Sequence, residues 1–225
     1  MIIIRENNGY INQLDSMYPS QLEKITGENV KVSVLPHSTI YGVVFSGKIH
    51  INEKYVLEKD EYFSFATKDI KSLIINGSAS IITRVGFTGQ NVVGGPIEES
   101  GRLSYIDNCS DTLLVYPPRY GDPSISLLSF PPNITQRFHT HPSIRMGVII
   151  RGEGYAETAN EKIDLVPGVC FCVKEREIHR FVTQNSGLDA VSFHPDGDWG
   201  PTDHNHTLLN RTYTGAFIMN QNLGQ

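Results

Sequence analysis

The 225-residue chain has few of the features that mark secreted and membrane proteins. It contains three cysteines, Cys109, Cys170 and Cys172, too few and too unevenly spaced for a disulfide framework, which fits a reducing compartment. No stretch approaches the roughly 18 apolar residues of a membrane span, and the apolar run at residues 2–4 is followed at once by charge. We therefore expect a cytoplasmic protein, in which the triplet Asn133-Ile-Thr135 has no role in glycosylation.

The chain also lacks long runs of one charge. Its 24 acidic and 19 basic side chains give a formal net charge of -5 and are spread along the sequence. A footprint for nucleic acid or for an anionic membrane is therefore missing. Glycine-rich phosphate loops, the Gly-x-Ser-x-Gly motif and the His-Glu-x-x-His motif are missing as well. The remaining expectation is a small-molecule partner.

What the chain does have is a two-residue periodicity. Apolar or β-branched residues alternate in many short segments, such as residues 30–34, 73–75 and 148–150, with Gly, Pro, Asn and Asp between them. This pattern predicts an all-β fold, a sandwich or a barrel. Helical periodicity is weak, and its best candidate is the short segment from Tyr18 to Ile25, which begins with a Pro-Ser start signal.

A loop rich in Gly, Pro and Glu, from Val93 to Gly101, separates two stretches that hold similar series of short strands. The segments 41–51 and 146–156 share a strand, a tight glycine turn and a following strand, which indicates duplication. We predict two domains, one over residues 1–98 and one over residues 99–225.

Three histidines of the second half are candidate metal ligands. His139 and His141 stand two residues apart in a strand pattern, so both side chains leave the same face about 6.5 Å apart. His179 follows a predicted strand-turn-strand stretch. Neutral imidazole suits Zn, Fe, Ni and Cu, and three ligands leave coordination positions open, as a catalytic site requires. The alternative is a surface strand with two solvated histidines; the joint match to His179 favours the metal.

The spacing around these histidines resembles two motifs of the cupin superfamily. The positions of the first motif are taken by Asn133, His139, His141, Arg145 or Met146, and Gly152. Those of the second motif are taken by Gly168, Lys174, Arg176, His179 and Thr183. The resemblance implies two tandem β-barrels of six to eight strands each, with one divalent metal inside the second. The first half has His37 but no matching histidine pair, so we expect its barrel to be metal-free.

One departure from the motif bears on function. The family's Glu is missing, because Arg145 cannot ligate a cation and Met146 offers only a thioether. A metal on three histidines keeps a formal charge near +2, which favours an anionic or bidentate ligand.

Three-histidine cupins are known mainly as dioxygenases, with some lyases and isomerases among their relatives. The resemblance thus implies an Fe(II) oxygenase acting on a small anionic, metal-chelating substrate, with Zn, Mn or Ni as alternative metals. A non-redox isomerase, cyclase or lyase and a non-catalytic binding protein are the alternative functions. The resemblance also implies a homodimer.

Three further residues are candidate substrate contacts. Arg137 shares the face of His139 and His141, so it either pairs with a substrate carboxylate or extends into water at the rim. Alternation through residues 147–151 predicts that Met146 faces inward as apolar pocket lining. Phe181, two residues after His179, is predicted to form a hydrophobic wall beside the metal.

Other residues have weaker patterns around them. Cys170 and Cys172 share a strand face and are predicted to be small buried hydrophobes rather than a redox pair. The pair His204 and His206 lies in a polar tail and is predicted to be a solvated loop. The role of the segment that follows the last predicted strand stays open; its notable residues are His194, Asp196, Asp198 and Trp199.

Overall fold

The fold is all-β, as predicted. A computed structural model describes residues 1–197 and the backbone of two short strands, Tyr213–Thr214 and Phe217–Ile218. Within this part of the chain the helices are two three-residue 3-10 turns, Thr67–Asp69 and Ile106–Asn108. Neither has the length or the hydrophobicity that crossing a membrane requires.

The strands before residue 95 are β1 (Ile2–Ile4), β2 (Gly9–Gln13), β3 (Ser20–Lys31), β4 (Ser38–Ile51), β5 (Tyr55–Glu58), β6 (Tyr62–Ala66), β7 (Leu73–Val85) and β8 (Val92–Gly94). Those after residue 100 are β9 (Leu103–Ser104), β10 (Ser110–Val115), β11 (Ser124–Phe130), β12 (Arg145–Gly152), β13 (Gly154–Thr158), β14 (Lys162–Leu165), β15 (Cys170–Val173), β16 (His179–Val182) and β17 (Leu188–His194). The two short strands at 213–214 and 217–218 are β18 and β19, and they pair with each other.

Sheet membership changes between β8 and β9, inside the loop that the sequence marks as a boundary. Strands β2 to β8 form one sheet in the order β2-β3-β7-β4-β6-β8, with β5 on β4. The second half forms a sheet in the order β1-β15-β12-β17-β11-β10-β9 and a three-stranded sheet, β14-β13-β16. The first strand, β1, pairs with β15 of the second half, although the predicted first domain begins at residue 1.

The segment from Tyr18 to Ile25, the best helix candidate in the sequence, is not helical, because Ser20 to Ile25 lie in β3. This strand pairs with β2 on one side and with β7 on the other. The helical pattern is short, and a weak local propensity yields when the chain offers pairing partners on both edges.

An apolar core lies between the two large sheets and joins the halves. From the first sheet it takes Ile11, Leu22, Tyr41, Val43 and Ile82, and from the second Met146, Val148, Cys170, Cys172, Val191 and Phe193. A separate core fills the inside of the second half and includes Ile149, Phe171 and Phe181. Strand β12 is therefore buried on both faces.

Two glycines occupy matching turns in the two halves. Gly47 has a φ of 69° and Gly152 has a φ of 72°, and each follows a shift of register in its strand. A Cβ atom on Gly47 would overlap the carbonyl of Asn76, and one on Gly152 would overlap the carbonyl of Gly187. The same positive φ and the same close backbone approach therefore recur in these two turns.

Substituting Gly152 tests this close approach. In Gly152→Ala the added methyl both strains the backbone and meets a carbonyl, so we expect the free energy of unfolding in urea to fall by roughly 3 kcal/mol. Gly121→Ala is the matched control: its φ is 87° but nothing lies within 4 Å of the added Cβ. That variant should lose about 1–2 kcal/mol. Equal losses in both variants would show that the contact with Gly187 is unimportant.

Candidate metal centre

The three histidines selected from the sequence come together in the second half. One potential ligand atom on each of His139, His141 and His179 lies within 4.8 Å of the others. Their ring centroids are separated by 5.1 Å for His139–His141, 4.5 Å for His139–His179 and 5.2 Å for His141–His179. Three imidazole nitrogens at this spacing are a group that could hold one metal ion.

Backbone pairing brings His139 to His179. His179 begins β16, and His139 lies in the segment between β11 and β12 that runs antiparallel to it. The N–H of His139 donates to the carbonyl of His179 at 3.0 Å, and the reverse bond measures 3.1 Å. These two backbone hydrogen bonds fix the position of one histidine relative to the other.

The segment that carries His139 and His141 is extended but is not the regular strand that the sequence predicts. It meets β16 through two isolated bridges, Thr135–Val182 and His139–His179. Prolines at positions 131, 132 and 142 flank it, and proline has no N–H with which to continue a ladder. The N–H of Arg176 donates to the carbonyl of His141 at 2.8 Å, which ties the far end to the turn before β16.

Two of the three rings have their tautomer set by a backbone carbonyl. The Nδ1 of His139 lies 2.9 Å from the carbonyl oxygen of Arg137, and the Nδ1 of His179 lies 2.9 Å from that of Glu177. A carbonyl only accepts, so each Nδ1 carries the proton and each Nε2 keeps its lone pair. Metal-binding histidines are held in this way in proteins.

Burial keeps two of the rings neutral. It lowers the pKa of His141 to about 3, and the positive charge of Arg145 acts in the same direction. Burial also lowers the pKa of His179 to about 4. At physiological pH these imidazoles are unprotonated, which is the form that binds a metal ion.

The histidines line a narrow cavity of about 20 Å³. A cavity of this size holds about one water molecule. Its remaining wall is mostly apolar and aromatic and is formed by Tyr105, Leu128, Phe130, Gln136, Arg145, Phe171, Val173, Phe181, Ala190, Ser192 and His194. Phe181 lies with its ring centroid 5.9 Å from that of His179, in the place predicted for the hydrophobic wall.

The predicted orientations of Arg145 and Met146 are reversed. Arg145 lines the cavity, whereas Met146 is buried in the core between the two large sheets. The two-residue alternation is real, but both faces of β12 are buried, so hydrophobicity does not reveal which face points to the histidines. Of the two residues that could take the place of the motif's missing Glu, Arg145 is the one that faces the histidines.

The guanidinium of Arg145 is held at the cavity by its own network. Its Nη1 lies 3.1 Å from the carboxylate of Asp196 and donates to the carbonyl of Ile144 at 2.9 Å. It also contacts the hydroxyl of Ser143, which donates to the same Asp196 oxygen. This gives Asp196, whose role the sequence leaves open, a position behind the cavity wall.

Arg137 takes the rim orientation rather than the inward one. Its side chain is 79% exposed and forms an ion pair with Asp107 at 2.8 Å. It is not among the cavity-lining residues that the structure describes. Its contribution to the site is the backbone carbonyl that accepts the Nδ1 proton of His139.

Sequence reasoning missed several residues of the wall. Gln136 is 1% exposed, and its Oε1 accepts the N–H of Phe181 at 3.2 Å. His194 lines the cavity, and burial lowers its pKa well below the ordinary value. Alternation along β17 could have placed His194 on the same face as Ala190 and Ser192. Gln136 has no comparable signal, because its segment is not a regular strand.

The cysteines behave as predicted. Cys170 and Cys172 are buried and unpaired in the core between the sheets, and burial raises the pKa of each thiol to about 12. Both are therefore protonated hydrophobes. The pair His204 and His206, together with Asp198 and Trp199, lies outside the described residues.

A second cavity, of about 250 Å³, adjoins the first. Tyr105 and His194 line both of them. Strand pairing sets Ser124 opposite His194, and Ser126 opposite Ser192, so the two cavities share one inner sheet face. The larger cavity offers a carboxylate, Asp111, whose pKa is raised by burial.

Comparison with solved structures identifies the fold. No protein-family model and no curated protein sequence matches the chain. The structure of a cupin 2 conserved barrel domain protein from Leptotrichia buccalis is similar with a TM-score of 0.57 at 12% identity, covering 83% of this chain and 88% of that one.

Two further structures extend the likeness. Protein YlbA from Escherichia coli, described as DUF861, gives a TM-score of 0.62 at 14% identity, over 88% of this chain and 86% of that one. A salicylate 1,2-dioxygenase from Pseudaminobacter salicylatoxidans gives 0.60 at 8% identity, over 80% and 72%. These likenesses show that the chain has the cupin fold.

The lowered pKa values predict how the metal-free protein responds to acid. In the unfolded chain His141 and His179 titrate near their ordinary pKa of about 6.5, so below that pH the unfolded state binds protons that the folded state does not. The stability that these two neutral histidines contribute is therefore fully present above about pH 6.5 and is lost as the pH falls toward 4. The melting temperature in a chelator should decrease through this window.

The His141→Gln variant isolates this contribution from that of the carboxylates. Its melting temperature should depend less steeply on pH than that of the wild type. His50→Gln, on β4 of the other half, is the control and should retain the wild-type slope. An unchanged slope in His141→Gln would contradict the assignment.

Proposed function

We propose that the chain is a metal-dependent cupin enzyme, an Fe(II) oxygenase in which His139, His141 and His179 bind one divalent metal. The proposal includes two tandem barrels, over residues 1–98 and 99–225, with the site in the second. The observation that carries it is the convergence of three imidazoles, two of them with Nδ1 committed to backbone carbonyls. Homodimerisation and a small-molecule substrate remain predictions.

The donor set fits a first-row divalent metal. Three imidazole nitrogens suit Fe, Zn or Ni and leave positions for exogenous ligands. When bound, such a metal supplies Lewis acidity and, if it is iron, the electron transfer that dioxygen chemistry needs.

The charges around the site favour an anionic substrate. The three-histidine group contributes no negative charge, and the guanidinium of Arg145 adds a positive one to the cavity wall. A substrate carboxylate can accept two parallel hydrogen bonds from a guanidinium. Asp196 and Ser143 hold Arg145 in place, so little side-chain freedom is lost when the substrate binds.

The apolar wall contributes by excluding water. Phe130, Phe171 and Phe181 surround the histidines, and such a wall strengthens the electrostatic interactions inside the cavity. The space next to the histidines accepts only a few atoms, so the body of the substrate would extend into the adjoining cavity past Tyr105 and His194. Asp111 there is placed to accept a hydrogen bond from a hydroxyl or amino group on the substrate.

One solved neighbour provides a chemical precedent. It is named a salicylate 1,2-dioxygenase, and salicylate is a small acid that presents a carboxylate beside a hydroxyl. This is the kind of chelating anion that the charge of the proposed site would select. The two proteins are alike in fold. The neighbour is therefore a precedent for an oxygenase on this fold, and it does not identify the substrate of this chain.

A non-redox isomerase, cyclase or lyase that uses Zn, Mn or Ni is the second candidate. It requires a proton carrier near the metal. His194 and Tyr105 face the same cavity as the three histidines and could serve, which is the observation in its favour. A protein that binds a small molecule without chemistry is the third candidate.

Metal analysis tests the ligand set. Protein purified without chelators should contain close to one iron per chain, and His139→Ala should lose it because two imidazoles bind much more weakly than three. His50→Ala, with a histidine removed from the other half, should keep the wild-type content. Equal metal content in wild type and His139→Ala would refute the site.

Dioxygen uptake then separates the two enzymatic candidates. With iron present, uptake should accompany turnover of members of a panel of hydroxy acids, thiols and diketones. Turnover that continues unchanged without dioxygen would replace the oxygenase by the non-redox enzyme.

Arg145 is predicted to act in substrate binding. In Arg145→Gln we expect the KM for an acidic substrate to rise roughly 10- to 100-fold, as for loss of a charged hydrogen-bonding partner, with a smaller change in kcat. Arg145→Lys should recover part of the loss, since it keeps the charge but not the planar fork. Iron content should be unchanged in both variants. A KM equal to that of the wild type in Arg145→Gln would rule out this role.

A further inference from the structure

A separate cavity of about 400 Å³ lies between the two halves. Its lining comes from both of them and consists of Asn7, Lys24, Thr26, Phe45, Ser46, Lys59, Asp60, Ser78, Ile149, Ile150, Pro167 and Gly168. None of these residues lines the cavity of the three histidines. This cavity is therefore a site separate from that of the three histidines.

Lys24 is the unusual residue of this cavity. It lies on β3, two residues after Leu22, so it shares the face that packs against the second half. Lys24 is only 7% exposed. Lysine is almost never this buried without a partner.

No hydrogen bond or ion pair to the ammonium of Lys24 is found within the described part of the chain. The nearby Glu6 carboxylate acts on it only through longer-range attraction. Its Nζ lies 3.5 Å from where a Cβ on Gly168 would stand, so the charge is at the cavity wall. The ammonium therefore faces a space that is large enough for a ligand.

The charged residues that line this cavity give it a net positive charge. Lys59 is exposed at the edge of the cavity, and Asp60 is its one carboxylate among the described lining residues. Two ammonium groups against one carboxylate give a net charge of +1, in a chain whose overall charge is -5. The Asn7 amide and the Ser46 hydroxyl add polar groups that can donate hydrogen bonds.

We propose that this cavity binds a small oxyanion of the phosphate class, with Lys24 as its buried charge and Lys59 as its charge at the opening. The carbon chain of Lys24 is buried while its ammonium opens into the cavity, so an anion held there would meet this charge directly. A tetrahedral anion offers several acceptor oxygens, which suit two lysines with additional amide and hydroxyl donors. The anion is either free phosphate or the phosphoryl group of a small metabolite.

Calorimetric titration of the full chain with inorganic phosphate, at an ionic strength held constant with sodium chloride, tests the proposal. We expect saturable binding to the wild type, at least about tenfold weaker binding to Lys24→Met, and a smaller loss in Lys59→Met. Lys71→Met removes an exposed lysine outside the cavity and is the control for the change in net charge. It should bind phosphate as the wild type does.

A urea unfolding curve without phosphate shows whether Lys24→Met folds. Methionine keeps the buried apolar part of the side chain, so the variant should be about as stable as the wild type. Repeating the titration with glycerol 3-phosphate identifies the source: tighter binding of the ester indicates a phosphorylated metabolite, and equal or weaker binding indicates free phosphate. The proposal is overturned if the wild type shows no saturable binding, or if Lys24→Met and Lys59→Met bind phosphate as tightly as Lys71→Met does.

Discussion

The candidate site depends on one backbone interaction, the reciprocal pair of hydrogen bonds between His139 and His179. These bonds hold an irregular, proline-flanked segment against β16 and bring two imidazoles to one point. The bridge between Thr135 and Val182 and the bond from Arg176 to His141 hold the same segment on either side of this pair. Because the main chain makes this contact, it does not require a bound metal, and the two rings are arranged before any ligand arrives.

The carbonyls of Arg137 and Glu177 extend this control from the backbone to the rings. Each lies two residues before a histidine, so the same extended geometry that pairs the segments also directs the Nδ1 proton. Burial then keeps the imidazoles of His141 and His179 neutral. At His179 the local chain therefore supplies position, tautomer and protonation state together, and the nearby Arg145 supplies a positive charge.

The part of the site that could be predicted was predicted from the spacing of residues along the sequence. The alternation of short apolar segments and the register of His139, His141 and His179 within two motifs were sufficient for the all-β class and for the histidine cluster. The orientation of Met146 could not be predicted, because β12 packs against one core through Val148 and another through Ile149, so both of its faces are apolar. The strand at residues 20–25 was missed for a related reason, since its stability comes from partners far away in the chain. Lys24 gave no signal either, because its burial results from the packing of one half on the other.

The most direct test of the account is a crystal structure of the iron-loaded protein with anomalous diffraction recorded at the iron edge. The account predicts one ion per chain, about 2.1 Å from the Nε2 atoms of His139 and His179 and from a ring nitrogen of His141, with the remaining positions open to solvent or substrate. An ion bound through the Nδ1 of His139 or His179, an ion at other residues, or no ion at these histidines would contradict it.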